Sequence, residues 1–351
     1  MNELSRRRVS ELRAELRSFI DSPERERFDA LALRVAKHQA AQIPAYGRWV
    51  EHRGGFDHWR DAPWVPTEAF RSFDLCSLAP TTTDTIFETS GTTTGIPGRR
   101  RAPDMSLYEA AMDRPFIEAV LSGDEIRRPW ISLIPEARDL PTSSLSHMVS
   151  SLASRYADLE RSSWHLDDRG LDASSAIEAL RSAEQPTVVL ATSFALINLF
   201  DAWVGSDARL PPGSRLMLTG GFKGRSRTLD AASLEGLIER HLGLPAQGII
   251  GEYGMTEWTS QAYGPGVHPS LVAPPWLHLR VIDPVTLRDA NPGQAGLVAS
   301  FDLLNLDNVS AVLTSDIGAL DERGGLRLLG RAPSARPRGC GLTALDWGTR
   351  R

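Results

Sequence analysis

Seven consecutive small or hydroxyl residues run from Thr89 to Gly95, in the stretch Phe87-Glu88-Thr89-Ser90-Gly91-Thr92-Thr93-Thr94-Gly95-Ile96-Pro97-Gly98, and Arg99, Arg100 and Arg101 follow at once. Backbone N–H groups and hydroxyls at this density can wrap phosphate oxygens, with the arginines beside them to neutralise charge. The spacing is not that of a Walker loop, and the same composition also suits a surface turn. A second segment, Gly251-Glu252-Tyr253-Gly254-Met255-Thr256-Glu257, follows the apolar run Gly248 to Ile250 at the expected carboxyl end of a strand. In open α/β sheets that edge is where ligands sit. An aromatic ring there can stack on a base, a hydroxyl can reach a phosphate and a carboxylate can hold magnesium. Equally, Tyr253 and Met255 suit a core, and Glu257 a solvated helix start. A third segment, Leu313-Thr314-Ser315-Asp316-Ile317-Gly318, is followed 15 residues after Asp316 by Gly330-Arg331. A carboxylate in a tight polar turn can take both hydroxyls of a ribose, or merely shape the turn.

Two cysteines offer thiol chemistry. Cys340 lies between Gly339 and Gly341, with Arg331, Arg336 and Arg338 within nine positions. Neighbouring arginines lower a thiol's pKa, and the thiolate is the nucleophile. Cys76, in Ser72-Phe73-Asp74-Leu75-Cys76, has apolar neighbours and fits a small buried hydrophobe. Of the 39 basic residues only Lys37 and Lys223 are lysines, so chemistry that requires an ammonium has two candidates.

These segments need elements to position them. Residues 2–20 and 26–42 place apolar residues three and four apart among Arg and Glu, which predicts two peripheral amphipathic helices. A loop-rich stretch runs from Ile43 to Pro80. From Thr81 onward, short apolar runs (Trp130–Ile134, Thr187–Ala191, Arg215–Leu218, Gly248–Gly251) alternate with helical segments, which predicts an α/β fold with a central sheet. After about Pro275 short strands and turns predict a β-rich lobe. The expected organisation is N-terminal helices over 1–42, a catalytic domain over 43–331 and a short tail over 332–351 that carries Cys340.

Composition narrows the function classes. The 351 residues are 41% hydrophobic and 24% charged, ordinary for a folded globular protein. A net charge of −5 argues against nucleic acid and anionic membrane as partners, since both require a basic surface. Cysteines 264 positions apart exclude a disulfide scaffold and a thiolate metal site. The N-terminus lacks the apolar core of a signal peptide, and the longest apolar stretch, Thr187 to Val204, is interrupted by Ser193, Asn198 and Asp201. A cytoplasmic protein without a membrane span is expected, that stretch forming a strand and then a helix.

In order, Thr-Ser-Gly-Thr-Thr-Thr-Gly, Glu-Tyr-Gly-Met-Thr-Glu, Thr-Ser-Asp-Ile-Gly and Gly-Arg resemble the phosphate loop, the adenine and magnesium motif, the ribose aspartate and the hinge of the adenylate-forming enzymes. Together with Ser144-Leu145-Ser146-His147-Met148-Val149, Thr219-Gly220-Gly221-Phe222-Lys223-Gly224-Arg225 and the Cys340 segment, the pattern is similar to the LuxE-type acyl-protein synthetases, which are related to phenylacetate-CoA ligases. The resemblance spans nearly the whole chain from about residue 40. It implies the large domain of an adenylate-forming enzyme, with central sheets, flanking helices and a β-rich lobe but without the full C-terminal small domain.

The activity implied is ATP- and Mg2+-dependent conversion of a carboxylic acid, a fatty acid in this family, into an acyl-AMP, followed by capture on a thiol. Ser90, Gly91, Thr92, Thr93 and Gly95 would then cradle the triphosphate, Tyr253 would line the adenine and Thr256 would contact the α-phosphate. Glu257 would bind magnesium, Asp316 the ribose, and Arg331 matches the hinge arginine. Cys340 matches the acyl acceptor, with an acyl-thioester reductase, an acyltransferase or a carrier protein as downstream partner. The larger enzymes carry a catalytic lysine in their C-terminal domain, and this chain stops 20 residues after Arg331. Lys223 is the replacement that lysine scarcity points to, unless it is simply solvated. His147 orients the acyl group or the thiol, or is a hydrogen-bonded structural histidine. Two other readings are an acid ligase that acylates CoA or a carrier-protein phosphopantetheine, and a non-catalytic module that binds a nucleotide or acyl-AMP.

Overall fold

The computed structural model describes residues 3–89, 96–123, 127–220 and 230–332. In chain order it begins with α1 (Glu3–Asp21), α2 (Arg25–Gln42), α3 (Pro44–His52), β1 (Val65–Pro66), β2 (Thr85–Glu88), β3 (Arg99–Ala102) and α4 (Ser106–Ala119). There follow β4 (Trp130–Leu133), α5 (Ser144–Tyr156), β5 (Ser163–Trp164), β6 (Leu166–Asp167), β7 (Gly170–Leu171), α6 (Ala173–Arg181), β8 (Val188–Thr192), α7 (Ser193–Asp201), β9 (Arg215–Thr219) and α8 (Ala231–Leu242). The chain ends in strands β10 (Ile249–Tyr253), β11 (Ala262–Pro265), β12 (Leu277–Ile282), β13 (Gly296–Asp302), β14 (Ala311–Leu320) and β15 (Leu326–Arg331). Two compact units result. One comprises the described residues up to Ala111, Met255–Gln261 and those from Ala273 onward; the other comprises the described residues of Met112–Gly254 and Ala262–Val272.

The second unit holds the expected central sheet, in the order β11-β10-β9-β8-β4-β5. Its strands are parallel except β11, which runs antiparallel to β10. Every second residue along the inner strands (Ile131 and Leu133, Val189 and Ala191, Leu216 and Leu218) enters one core with α6, α7 and α8. This is the period-two burial that a pleated strand imposes. Polar caps start the helices: Thr192 Oγ1 accepts from Ala195 N at 3.1 Å, and Asp230 Oδ1 from Ser233 N at 2.8 Å. Gly243, at φ 67°, ends α8 in the left-handed conformation. The segment after β11 lies flat on the sheet edge: a Cβ on Gly251 would meet Pro269 Cγ at 2.6 Å, and one on Gly264 would meet the Ser270 carbonyl at 2.5 Å.

The first unit contains the expected β-rich lobe, a sheet in the order β1-β14-β13-β12 in which β15 also pairs with β14. The N-terminal helices form over nearly the anticipated residues but are not peripheral. Leu16, Phe19, Val35 and Ala36 share one core with Trp276, Phe301, Leu303 and Ala311 of the lobe. The amphipathic pattern was read correctly as a buried stripe; what it is buried against lies some 250 residues away in sequence. Polar ties reinforce that contact. Gln39 Nε2 donates to the Asn305 carbonyl and Ser310 Oγ, each at 2.9 Å, and Arg13 pairs with Asp307 at 2.7 Å. Among the described residues no helix is long and apolar enough to cross a membrane.

Candidate active site

Strands β2 and β3 form an antiparallel hairpin around the hydroxyl-rich run. Thr89 N donates to the Gly98 carbonyl at 2.9 Å and Gly98 N to Thr89 Oγ1 at 2.8 Å, so the run leaves and rejoins the hairpin at one pinned point. Ser90, Gly91, Thr92, Thr93 and Gly95 lie outside the described residues, as do Lys223 and Cys340. The arginines that follow do not form one patch. On a strand, alternate side chains face opposite sides. Arg99 therefore pairs with Glu88 at 2.8 Å and Arg101 with Asp74 at 2.9 Å and with Asp84, whereas Arg100 turns inward and is 4% exposed.

Glu257 is neither solvated nor on a helix. It sits in the turn after β10, with Trp258 N donating to the Met255 carbonyl at 3.1 Å, and is 4% exposed. Burial pushes its carboxyl up to about 7, against the favourable charges of Arg100 and Arg331 and with the unfavourable charge of Glu68. Thr256, beside it, is partly exposed.

Asp316 is on a strand rather than in a tight turn. Opposite β13 the register jumps from Leu297↔Ile317 to Ala299↔Leu313, so Thr314, Ser315 and Asp316 stand against the single residue Val298 as a bulge. The hydroxyl of Thr314 substitutes for ladder partners there, donating to the Val298 carbonyl at 2.9 Å and accepting from Asp316 N at 3.0 Å. The turn-forming residues thus make a bulge within β14. On the other side Asp316 is in register with Arg331, and their side chains pair at 2.8 Å. Ser315 Oγ donates to Glu68 Oε1 at 2.9 Å. In the first unit Asp316 and Arg331 thus pair directly, and the charge of Arg331 also acts on Glu257, although the three span 75 residues of sequence.

Tyr253 and His147 belong to the second unit. Tyr253 ends β10 at 8% exposure, and His147 lies in the first turn of α5, its N–H donating to the Ser143 carbonyl at 3.0 Å. Beside Tyr253 is a feature that sequence reasoning missed. Glu252, buried, has its carboxylate bonded by the Thr219 hydroxyl across the β9–β10 pair, and burial raises it to about 7. Its place at the carboxyl end of a strand was visible; its partner, 33 positions away, was not.

A carboxylate held by a guanidinium on a strand bulge can accept from a pair of hydroxyls. A buried carboxylate near neutrality can be held ionised by a divalent cation. Among the described residues no group of three or more His, Cys, Asp or Glu is arranged to hold a metal ion. Mg2+ commonly uses one or two protein carboxylates and completes its shell with phosphate and water. Glu257 fits that lesser demand.

The fold is shared with solved structures of acid-CoA ligases. The chain is similar to 2-hydroxyisobutyryl-CoA ligase with bound 2-HIB-AMP, at a TM-score of 0.63 and 16% identity over 86% of this chain and 66% of that one. An open conformation of the same ligase, in complex with 2-HIB-AMP and CoA, gives 0.61 at 16% identity over 86% and 73%. A long-chain-fatty-acid-CoA ligase from Archaeoglobus fulgidus gives 0.51 at 16% identity over 71% and 51%. The match takes in 47% of the MatB chain of Rhodopseudomonas palustris, so the chain spans about half the length of MatB and of the Archaeoglobus ligase. No protein-family model matches the sequence, and no curated protein matches it.

Proposed function

We propose that this protein is an AMP-forming acid–thiol ligase of the acyl-protein synthetase type: it converts a carboxylic acid and ATP into an acyl-AMP and pyrophosphate, then transfers the acyl group to a thiol, releasing AMP. The observation that carries this reading is the Asp316–Arg331 pair on a strand bulge, its guanidinium also acting on buried Glu257, on a fold shared with AMP-forming ligases. In it, Asp316 accepts from the ribose hydroxyls, Arg331 steadies that carboxylate and Glu257 holds Mg2+, which when bound supplies positive charge to the transferring phosphate. Tyr253 lines the base, Thr256 reaches the α-phosphate, and the run from Ser90 to Gly95 cradles the triphosphate. Lys223 stabilises the charge that develops during adenylation, and His147 orients the acyl group.

Cys340 is the proposed acceptor, its thiolate attacking the acyl-AMP carbonyl. A fatty acid is the proposed substrate, and a reductase, acyltransferase or carrier protein the proposed recipient. A second reading, with CoA as acceptor, is favoured by the likeness to a ligase whose structure contains CoA. A panel of aliphatic and aryl acids with ATP, read by pyrophosphate release and intact mass, tests both. Under the first reading the chain gains the acyl mass and Cys340→Ser still exchanges pyrophosphate into ATP but gains none. Full thioester formation on added CoA by Cys340→Ser refutes self-acylation, and an absence of acid-dependent pyrophosphate release refutes the ligase reading altogether.

A further inference from the structure

We infer that Arg100 is a positioning residue for Glu257, an inference that rests on the metal-binding role proposed above. The guanidinium is one of the most enclosed charges in the first unit, at 4% exposure. Its Nη2 donates to Thr259 Oγ1 at 2.7 Å and to Asn305 Oδ1 at 2.9 Å. Asn305 in turn donates through Nδ2 to the Glu257 carbonyl at 3.0 Å and to the Val309 carbonyl at 3.0 Å. The next residues of the turn are held from another side, since Thr259 N and Ser260 N donate to Asp302 Oδ2 at 2.7 and 2.9 Å. Asn305 is itself anchored, its carbonyl accepting from Gln39 Nε2 at 2.9 Å. The Glu257 turn is therefore clamped to β3, the strand that leaves the hydroxyl-rich run, through one guanidinium and one amide.

Stability alone does not account for this arrangement. Arginine cannot shed its proton at any ordinary pH, so a buried guanidinium is costly unless a carboxylate compensates it. Both groups that Nη2 reaches are neutral, and Nε and Nη1 have no hydrogen-bond partner among the described residues; Asp302, Asp307 and Glu257 act on the guanidinium through space, without an ion pair to it. An apolar side chain of similar length would fill the same space without that cost. What a guanidinium adds is a planar, rigid group whose one nitrogen, Nη2, donates to Thr259 and Asn305 together and so ties the strand to the turn. A carboxylate that holds a metal against phosphate requires such support from the groups behind it.

The test uses the full-length chain as wild type, Arg100→Met, Arg100→Lys and Thr259→Val. The last keeps the shape of the side chain and removes only the hydroxyl. Three quantities are measured: AMP affinity by calorimetry without divalent cation, Mn2+ affinity in the presence of ATP by electron paramagnetic resonance, and the Mg2+ dependence of pyrophosphate exchange. Loss of outer-shell support should weaken Mn2+ binding and raise half-saturating Mg2+ about tenfold in Arg100→Met and about threefold in Thr259→Val. The rate at saturating Mg2+ and the metal-free AMP affinity should stay within about twofold of wild type, and Arg100→Lys, which keeps the charge but not the planar guanidinium, should recover only part of the metal affinity. Unshifted metal dependence, or AMP affinity that falls in step with it, overturns the inference; if Arg100→Met does not fold, Thr259→Val decides by the same criteria. A wild type that neither binds AMP nor exchanges pyrophosphate overturns the proposed function and this inference with it. An active wild type with unshifted variants overturns the inference alone.

Discussion

Replacing Glu252 with Gln should flatten part of the dependence of stability on pH. The carboxyl is buried on a central strand with the Thr219 hydroxyl as its hydrogen-bond partner, and it titrates at about 7 instead of 4.5. Because the folded-state pKa is raised, the folded protein retains a proton that the unfolded chain releases between these two values. The neutral acid therefore favours folding fully below pH 4.5, and that contribution is lost as pH rises through 7. A difference of about 2.5 units at 1.36 kcal/mol each is roughly 3 kcal/mol. Gln at this position is neutral throughout and lacks that slope. Urea denaturation of both proteins from about pH 4 to pH 8 gives the difference curve, in which the other buried acids, Glu257 and Asp302, cancel to first order. Wild type should lose about 3 kcal/mol relative to the variant across that range. A flat difference curve, or one of opposite slope, refutes the burial argument. Thr219→Val provides an internal check: without the hydroxyl that lowers the pKa of Glu252, the titration should move higher still.

Asp316→Ala should weaken AMP binding by about 1.5–3 kcal/mol, the loss expected for a charged hydrogen-bond acceptor. Calorimetry showing unchanged affinity would remove it from the ribose. Fold stability should change by about 1 kcal/mol or less, since the Arg331 partner is half exposed. Lys223→Ala should slow acyl-AMP formation by about a hundredfold, as loss of an electrostatic donor does, whereas Lys37→Ala should leave the rate near wild type. Equal small effects of the two would return Lys223 to an ordinary surface role.

Strands were most visible in the sequence. The parallel strands announce themselves as short apolar runs because both faces are covered, and four of them were placed within a residue or two at each end. Local composition identified Asp316 as a place where regular structure breaks, but not whether the break was a turn or a bulge. That depended on β13 pairing on one side and β15 on the other. The Arg99–Arg101 run shows the same limit: three like charges look like one positive patch until a strand sends the middle one inward. The motifs that contain Glu257 and Arg331 stand out in the sequence, but the burial of Glu257 does not. Groups that act through distant partners, such as Arg100 through Asn305 and Gln39 through Ser310, carry no local signal, because the relevant spacing exists only after folding.

The close approach of the 266–270 segment to β10 and β11 bears on how the Gly-Glu-Tyr-Gly motif should be interpreted. Any side chain at Gly251 or Gly264 would drive atoms to within 2.6 Å of Pro269 or the Ser270 backbone. In a saturation mutagenesis screen both positions would therefore appear intolerant even under selection for folding alone. Invariance of Gly251 across homologues would record the thickness of a sheet edge, while Tyr253, two residues on, could be constrained by chemistry. Within a single four-residue signature, one position can thus be held by steric fit and another by a ligand. A screen that scores abundance separately from turnover would tell them apart.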